Sequence, residues 1–172
     1  MQQLKEQNVK NLALLAFAGA LLGSVTAASG VDKLSEVFIR DAIQGNLAEI
    51  KMGQLAEEKA QDAEVKSYGQ MLVTDHSASN EQAEKVAKQI GITVPTDPSV
   101  DQKAAYDRMS RLSGTTFDRA FIKEMIGSHK TNIVRFQNEA KKKNDPAADF
   151  ANQTLPTLKK HLDAAQKLEP GL

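Results

Sequence analysis

Apolar positions recur along the chain at alternating spacings of four and three, the signature of helices with one buried face. From about Leu34 to Ala60 the stripe is Phe38, Ala42, Gly45, Met52 and Ala56. From about Ala63 to Ile90 it is Val65, Gly69, Leu72, His76, Ser79, Ala83, Val86 and Ile90, with Asp62 as an N-cap and Gly91 as a stop. A third stripe, over about Thr116 to Lys143, carries Ile122, Met125, His129, Ile133, Phe136 and Ala140. The fourth, over about Pro146 to Leu168, carries Ala151, Leu155, Leu158, Leu162 and Ala165. Pro146 suits a first helical position, whereas Pro156 falls inside the helix and predicts a kink or a broken first half. No segment alternates with the period of a strand, and no internal repeat is visible.

The connections predict the topology. The turns between the first and second helices and between the third and fourth are short, so each pair forms an antiparallel hairpin. The stretch 91–115 between the hairpins is long enough to travel the length of a bundle. Within it, Ile92 to Pro98 cannot continue a helix, Ser99 with Gln102 reads as a capping box for a short helix ending near Leu112, and Ser113-Gly114-Thr115 breaks that helix. The expected architecture is all-α: a ferritin-like four-helix bundle with a long crossover that contains a short helix. An up-down bundle with a loose connecting loop is the competing topology.

Ahead of the first stripe the pattern changes. A polar start with Lys5 and Lys10, the uncharged apolar run Leu12–Leu22 and the small residues from Gly23 to Gly30 together read as a secretory signal. The apolar run falls short of the roughly 20 residues that span a bilayer. Cleavage after Ala27 is expected, with Ala28 as the neighbouring alternative. It divides the chain into a signal peptide, 1–27, and a bundle domain, 28–172, that has no stable membrane span. The absence of cysteine excludes lipid attachment after the signal, disulfides and thiolate metal sites. The expected location is therefore the periplasm or the outside of the cell. Lys+Arg and Asp+Glu both total 22, which argues against a nucleic-acid partner. With no Trp and few aromatics there is no stacking platform for bases either.

The chemistry lies in polar residues on apolar stripes. Glu49 continues the first stripe between Gly45 and Met52, and the three histidines of the chain, His76, His129 and His161, fall on or beside the other three. Counted from the expected helix starts, all four lie roughly 20 Å along their helices at about 1.5 Å per residue, so they converge at mid-bundle whichever way neighbouring helices run. An unpaired carboxylate or imidazole buried in a helical core costs several kcal/mol, and a divalent metal would offset that cost. Glu49, His76, His129 and His161 are the candidate ligands for one such ion, Zn, Cu, Fe or Mn. Asp75 and Asp118 are candidates for orienting the ligating histidines. The alternative is a metal-free polar network in which Glu49 hydrogen-bonds His76 or Tyr68. Met52 and Met125 flank the site and read as core filling. Carboxylate-bridged di-iron centres use Glu-x-x-His. Here Val73, Ile126 and Leu158 stand three residues before the histidines, which disfavours that chemistry. No phosphate loop or nucleophile motif is present, and no catalytic residue is assigned.

Phe38, Asn46-Leu47-Ala48-Glu49-Ile50, Gly53-Gln54-Leu55-Ala56, Asp75-His76, Phe117-Asp118-Arg119-Ala120-Phe121, His129, Leu155-Pro156-Thr157-Leu158 and His161-Leu162 together resemble the exported bacterial domain-of-unknown-function 4142 family, often labelled outer membrane protein. The resemblance spans about 34–168. It implies a ferritin-like bundle and supplies no activity. A neutral helical chain without lipid attachment is unlike a spanning barrel, which favours the periplasm over the membrane. Two functions are expected from this pattern. One is a metal-binding envelope protein in metal handling or stress protection. The other is a metal-free interaction module that meets an envelope protein through Tyr106 and Met109 of the crossover helix. The sequence specifies no oligomeric state.

Overall fold

The computed structural model describes residues 32–172; the expected signal peptide, 1–27, and its cleavage site lie outside the described residues. The helices are α1 (Lys33–Lys59), α2 (Ala63–Ile90), α3 (Val100–Met109), α4 (Gly114–Glu139) and α5 (Pro146–Leu168), with a single 3-10 turn at Glu169–Gly171. Among the described residues there is no strand. Short polar side chains start most of these helices: Asp32 accepts from Leu34 N–H, Asp62 from Glu64 and Val65 N–H, and Asp145 from Ala147 N–H. Gly91 ends α2 with φ +78°, a left-handed conformation that suits glycine. Ser99 and Gln102 form a reciprocal capping box at the start of α3.

Two contacts fix the direction of the chain. The carboxylate of Asp118, near the start of α4, accepts hydrogen bonds from Gln61 N–H and Asp62 N–H in the α1–α2 turn. The connection after α2 therefore returns the length of the bundle before α4 begins, and α4 runs parallel to α2. At the opposite end Ser35, near the start of α1, donates to Asp145 at the start of α5, so α1 and α5 are parallel. Two antiparallel hairpins joined by a full-length crossover give the all-α bundle of the ferritin-like type.

Two apolar clusters fill the ends of the bundle. Leu55, Val65, Leu72, Phe117, Phe121 and Met125 occupy the end nearest the α1–α2 turn. Phe38, Ile39, Ile43, Ala83, Phe136 and Phe150 occupy the other. Between them lies a layer with buried polar residues from four helices, Asn46 and Glu49 on α1, His76 on α2, His129 on α4 and His161 on α5. Just below this layer α1 and α2 touch backbone to backbone. A Cβ on Gly53 would stand 2.6 Å from the carbonyl oxygen of Gly69, and one on Gly69 would stand 2.7 Å from that of Gly53.

Several expectations are corrected. Helix α4, expected to reach Lys143, ends at Glu139. Glu139 is buried with its Oε1 2.6 Å from Ser35 Oγ, Lys142 turns back to pair with it at 2.9 Å, and Asn144 takes φ +55° so that Asp145 can cap α5. Helix α5 is unbroken through Pro156, with Leu158 buried just beyond it. On α3, Met109 is buried and Tyr106 is partly buried against the core. No helix of the described residues is long and apolar enough to cross a membrane.

Candidate metal centre

His129 and His161 are fully buried, and His76 and Glu49 are 5% and 6% exposed. The three imidazoles form a triangle with ring centroids 5.2, 5.3 and 5.9 Å apart. One ring nitrogen from each lies within 4.8 Å of the other two.

The hydrogen bonds around the triangle settle which nitrogens carry protons. Asn46 Nδ2 donates to Ser79 Oγ, which turns Asn46 Oδ1 toward His76, and His76 Nδ1–H donates to it at 2.9 Å. His129 Nδ1–H donates at 2.9 Å to the carbonyl of Met125, a group that can only accept. His161 Nε2–H donates at 2.9 Å to Asp75 Oδ2, which also accepts from Lys160 Nζ. Each neutral imidazole has a single N–H, and here each is spent on an outer acceptor. In the neutral rings His76 Nε2, His129 Nε2 and His161 Nδ1 are therefore left as bare lone pairs.

Two of these lone pairs, His129 Nε2 and His161 Nδ1, face each other at 3.2 Å. With both rings neutral neither has a hydrogen to give, and the contact then calls for a cation against both, a metal ion or a second ring proton. The edge of a tetrahedron around zinc, with nitrogens at about 2.05 Å, measures about 3.3 Å. The third, His76 Nε2, is buried without any hydrogen-bond partner.

Electrostatics favour keeping the lone pairs free. Burial pushes the His76 pKa well below the ordinary imidazole range, and the neighbouring His161 and His129 push it further. Burial also lowers that of His161, against the opposing hydrogen bond to Asp75. For Asp75 burial acts upward, but the hydrogen bonds from His161 and Lys160 prevail and hold its carboxyl below the usual range. Rings that resist protons remain available to a metal at neutral pH.

Glu49 stands beside the triangle but outside the group of close ring nitrogens. Its Oε1 accepts from Ser128 Oγ at 3.2 Å, while Oε2 is buried with no partner. It makes no hydrogen bond to His76 or Tyr68, whose hydroxyl is also buried and unpaired, so the metal-free network expected from the sequence is incomplete. Burial raises the pKa of Glu49, opposed by His129 and the Ser128 hydrogen bond. Burial, with Glu49 nearby, keeps the Tyr68 phenol protonated.

Asp75 accepts a hydrogen bond from one histidine of the triangle, His161. Asp118 does not: its oxygens are taken by the α1–α2 turn, where it acts as a cap between helices. Asn46 and Ser128 were missed by the sequence reading. Asn46 was detectable as an amide on the buried face of α1, one turn before Glu49. Ser128 carried no such signal.

The chain belongs to the family described as Domain of unknown function (DUF4142), whose model matches residues 20–168. No curated protein and no solved structure matches it.

Proposed function

We propose that this member of the family binds one divalent transition metal through His76, His129 and His161, with Glu49 as the fourth, anionic ligand, and that it serves metal handling or stress protection in the cell envelope. The observation that carries this reading is the facing pair of ring nitrogens, His129 Nε2 and His161 Nδ1, 3.2 Å apart in the buried core, each on a ring whose other nitrogen is held by an outer acceptor. A hydrogen bond between them would require a second proton, and so a buried charge, on one ring. Instead all three N–H groups point outward to an amide oxygen, a carbonyl and a carboxylate, the arrangement that fixes tautomer and ring direction in histidine metal sites. The unpaired Glu49 Oε2 supports it as a source of negative charge beside the ion. Imidazole and carboxylate together suit zinc, iron, manganese or copper. The envelope role follows from the export signal read at 1–27.

The test is elemental analysis of untagged residues 28–172 purified without chelator. Near-stoichiometric zinc, copper, iron or manganese is expected, lost in the His76→Ala/His129→Ala double variant. A wild-type protein that is empty and refuses all four added ions would sink the reading and favour the metal-free interaction module.

A further inference from the structure

Resting on the metal reading above, we propose that the centre is open on its Glu49 side and that a small monoanion reaches the ion through a polar cleft roofed by the crossover helix α3. A cavity of about 60 Å³ adjoins the triad, lined by Asn46, Glu49, His76, Gln102, Asn132 and Arg135. A site of roughly 15 Å³ on this measure holds one water, so there is room for several atoms between His76, Glu49 and the cleft wall. A larger groove of about 700 Å³ between α1, α3 and α4 opens beside it and shares Glu49, Gly45 and Gln102 with it. Small residues keep that groove wide: a Cβ on Gly127 would meet nothing within 4 Å, and one on Gly45 would meet only Gln102 Nε2, at 4.0 Å.

The polar groups of this cleft favour an anion. Gln102 Oε1 is consumed by the capping box, where it accepts from Ser99 N–H at 2.8 Å. Its amide Nε2 is thereby turned toward α1 as a donor. Asn132 and the Arg135–Asp41 ion pair, in which the carboxylate as well as the guanidinium faces the cavity, line the same wall. Charge acts in the same direction. Three neutral imidazoles leave a divalent ion at +2, Glu49 reduces the local sum to +1, and Asp75 beyond His161 is shared with Lys160. One further negative charge at an exchangeable position balances the centre. Arg, amide and metal donors around a single cavity are what a compact monoanion requires.

The probe is azide, and the reporter is cobalt(II) substituted at the centre of the 28–172 protein and followed by its visible absorption. Azide should shift the cobalt bands saturably. Gln102→Glu keeps a residue that can complete the capping box but turns the donor into a carboxylate. It should leave cobalt uptake and Tm unchanged while weakening azide about tenfold through like-charge repulsion at close range. Lys66→Gln, the same unit change of charge at an exposed position on α2, should leave azide binding as it is. Cobalt bound without any azide response would mean a closed centre, overturning this proposal while the metal reading stands. Equal azide affinity in wild type and Gln102→Glu would overturn the α3 route. No cobalt uptake at all would overturn both.

Discussion

Each histidine of the triad is oriented by a different kind of acceptor, and the three acceptors are not equivalent. Met125 offers a backbone carbonyl that mutation cannot delete, whereas Asn46 and Asp75 can each be removed singly. Asp75→Ala frees the His161 ring to turn and lets either nitrogen carry the proton. Metal affinity should fall about 10- to 100-fold, measured by competition with a chromophoric chelator, with no loss of helix by circular dichroism. An unchanged affinity would mean that His161 is not a ligand. Glu49 gives a test whose sign reverses with metal. In the metal-free protein its carboxylate is buried with one oxygen unpaired and its pKa is raised by that burial, so Glu49→Gln should raise Tm. In the loaded protein the same change removes the anionic ligand and should lower Tm. A shift of the same sign in both states would count against Glu49 as a partner of the ion.

At the level of elements, the tightest constraint is the crossing of α1 and α2 at Gly53 and Gly69, where neither backbone leaves space for a methyl group. Gly53→Ala must push the helices apart or shift Val73, and overpacking of this kind costs about 1–3 kcal/mol. A urea midpoint lowered accordingly, with the family of helices intact, is the expected outcome. What the sequence made legible here was local. The four-three stripes, the Asp62 cap, the Gly91 stop and the Ser99–Gln102 box each depend on residues within a turn or two of one another, and each corresponds to a feature of the structure. What it hid was set by distant partners. The early end of α4 depends on Ser35, 104 residues before Glu139. The role of Asp118 depends on two backbone N–H groups at the end of another hairpin. Convergence of the three histidines could be read because equal heights in a bundle follow from counting residues. The role of Ser128 could not, because it depends on how α4 is rotated about its own axis toward Glu49.

For the molecule as a whole, the polar layer between two apolar clusters couples folding to protons and to metal at once. In the metal-free protein His76 and His161 have pKa values below their ordinary range. Above about pH 6.5 these rings are neutral in both folded and unfolded chains and add no pH dependence. As pH falls below that value the unfolded chain takes up protons that the folded chain refuses, so stability drops, with a slope that approaches about 1.4 kcal/mol per pH unit for each ring. Asp75, held below the usual carboxylate range, stays ionised through this window and contributes nothing to the fall. Glu49 acts with the opposite sign: its raised pKa makes the folded state the better proton acceptor, which offsets part of the loss in acid. Urea midpoints measured with chelator should therefore be flat from pH 8 to 7 and fall from pH 6.5 to 5, more steeply in Glu49→Gln than in wild type. Saturating zinc should add about 2.7 kcal/mol at 100 times its Kd. That gain should shrink on acidification, because protons and metal compete for the same lone pairs. A midpoint in chelator that does not move between pH 7 and 5 would mean that the rings are not buried in neutral form and that their lone pairs are not free for a metal.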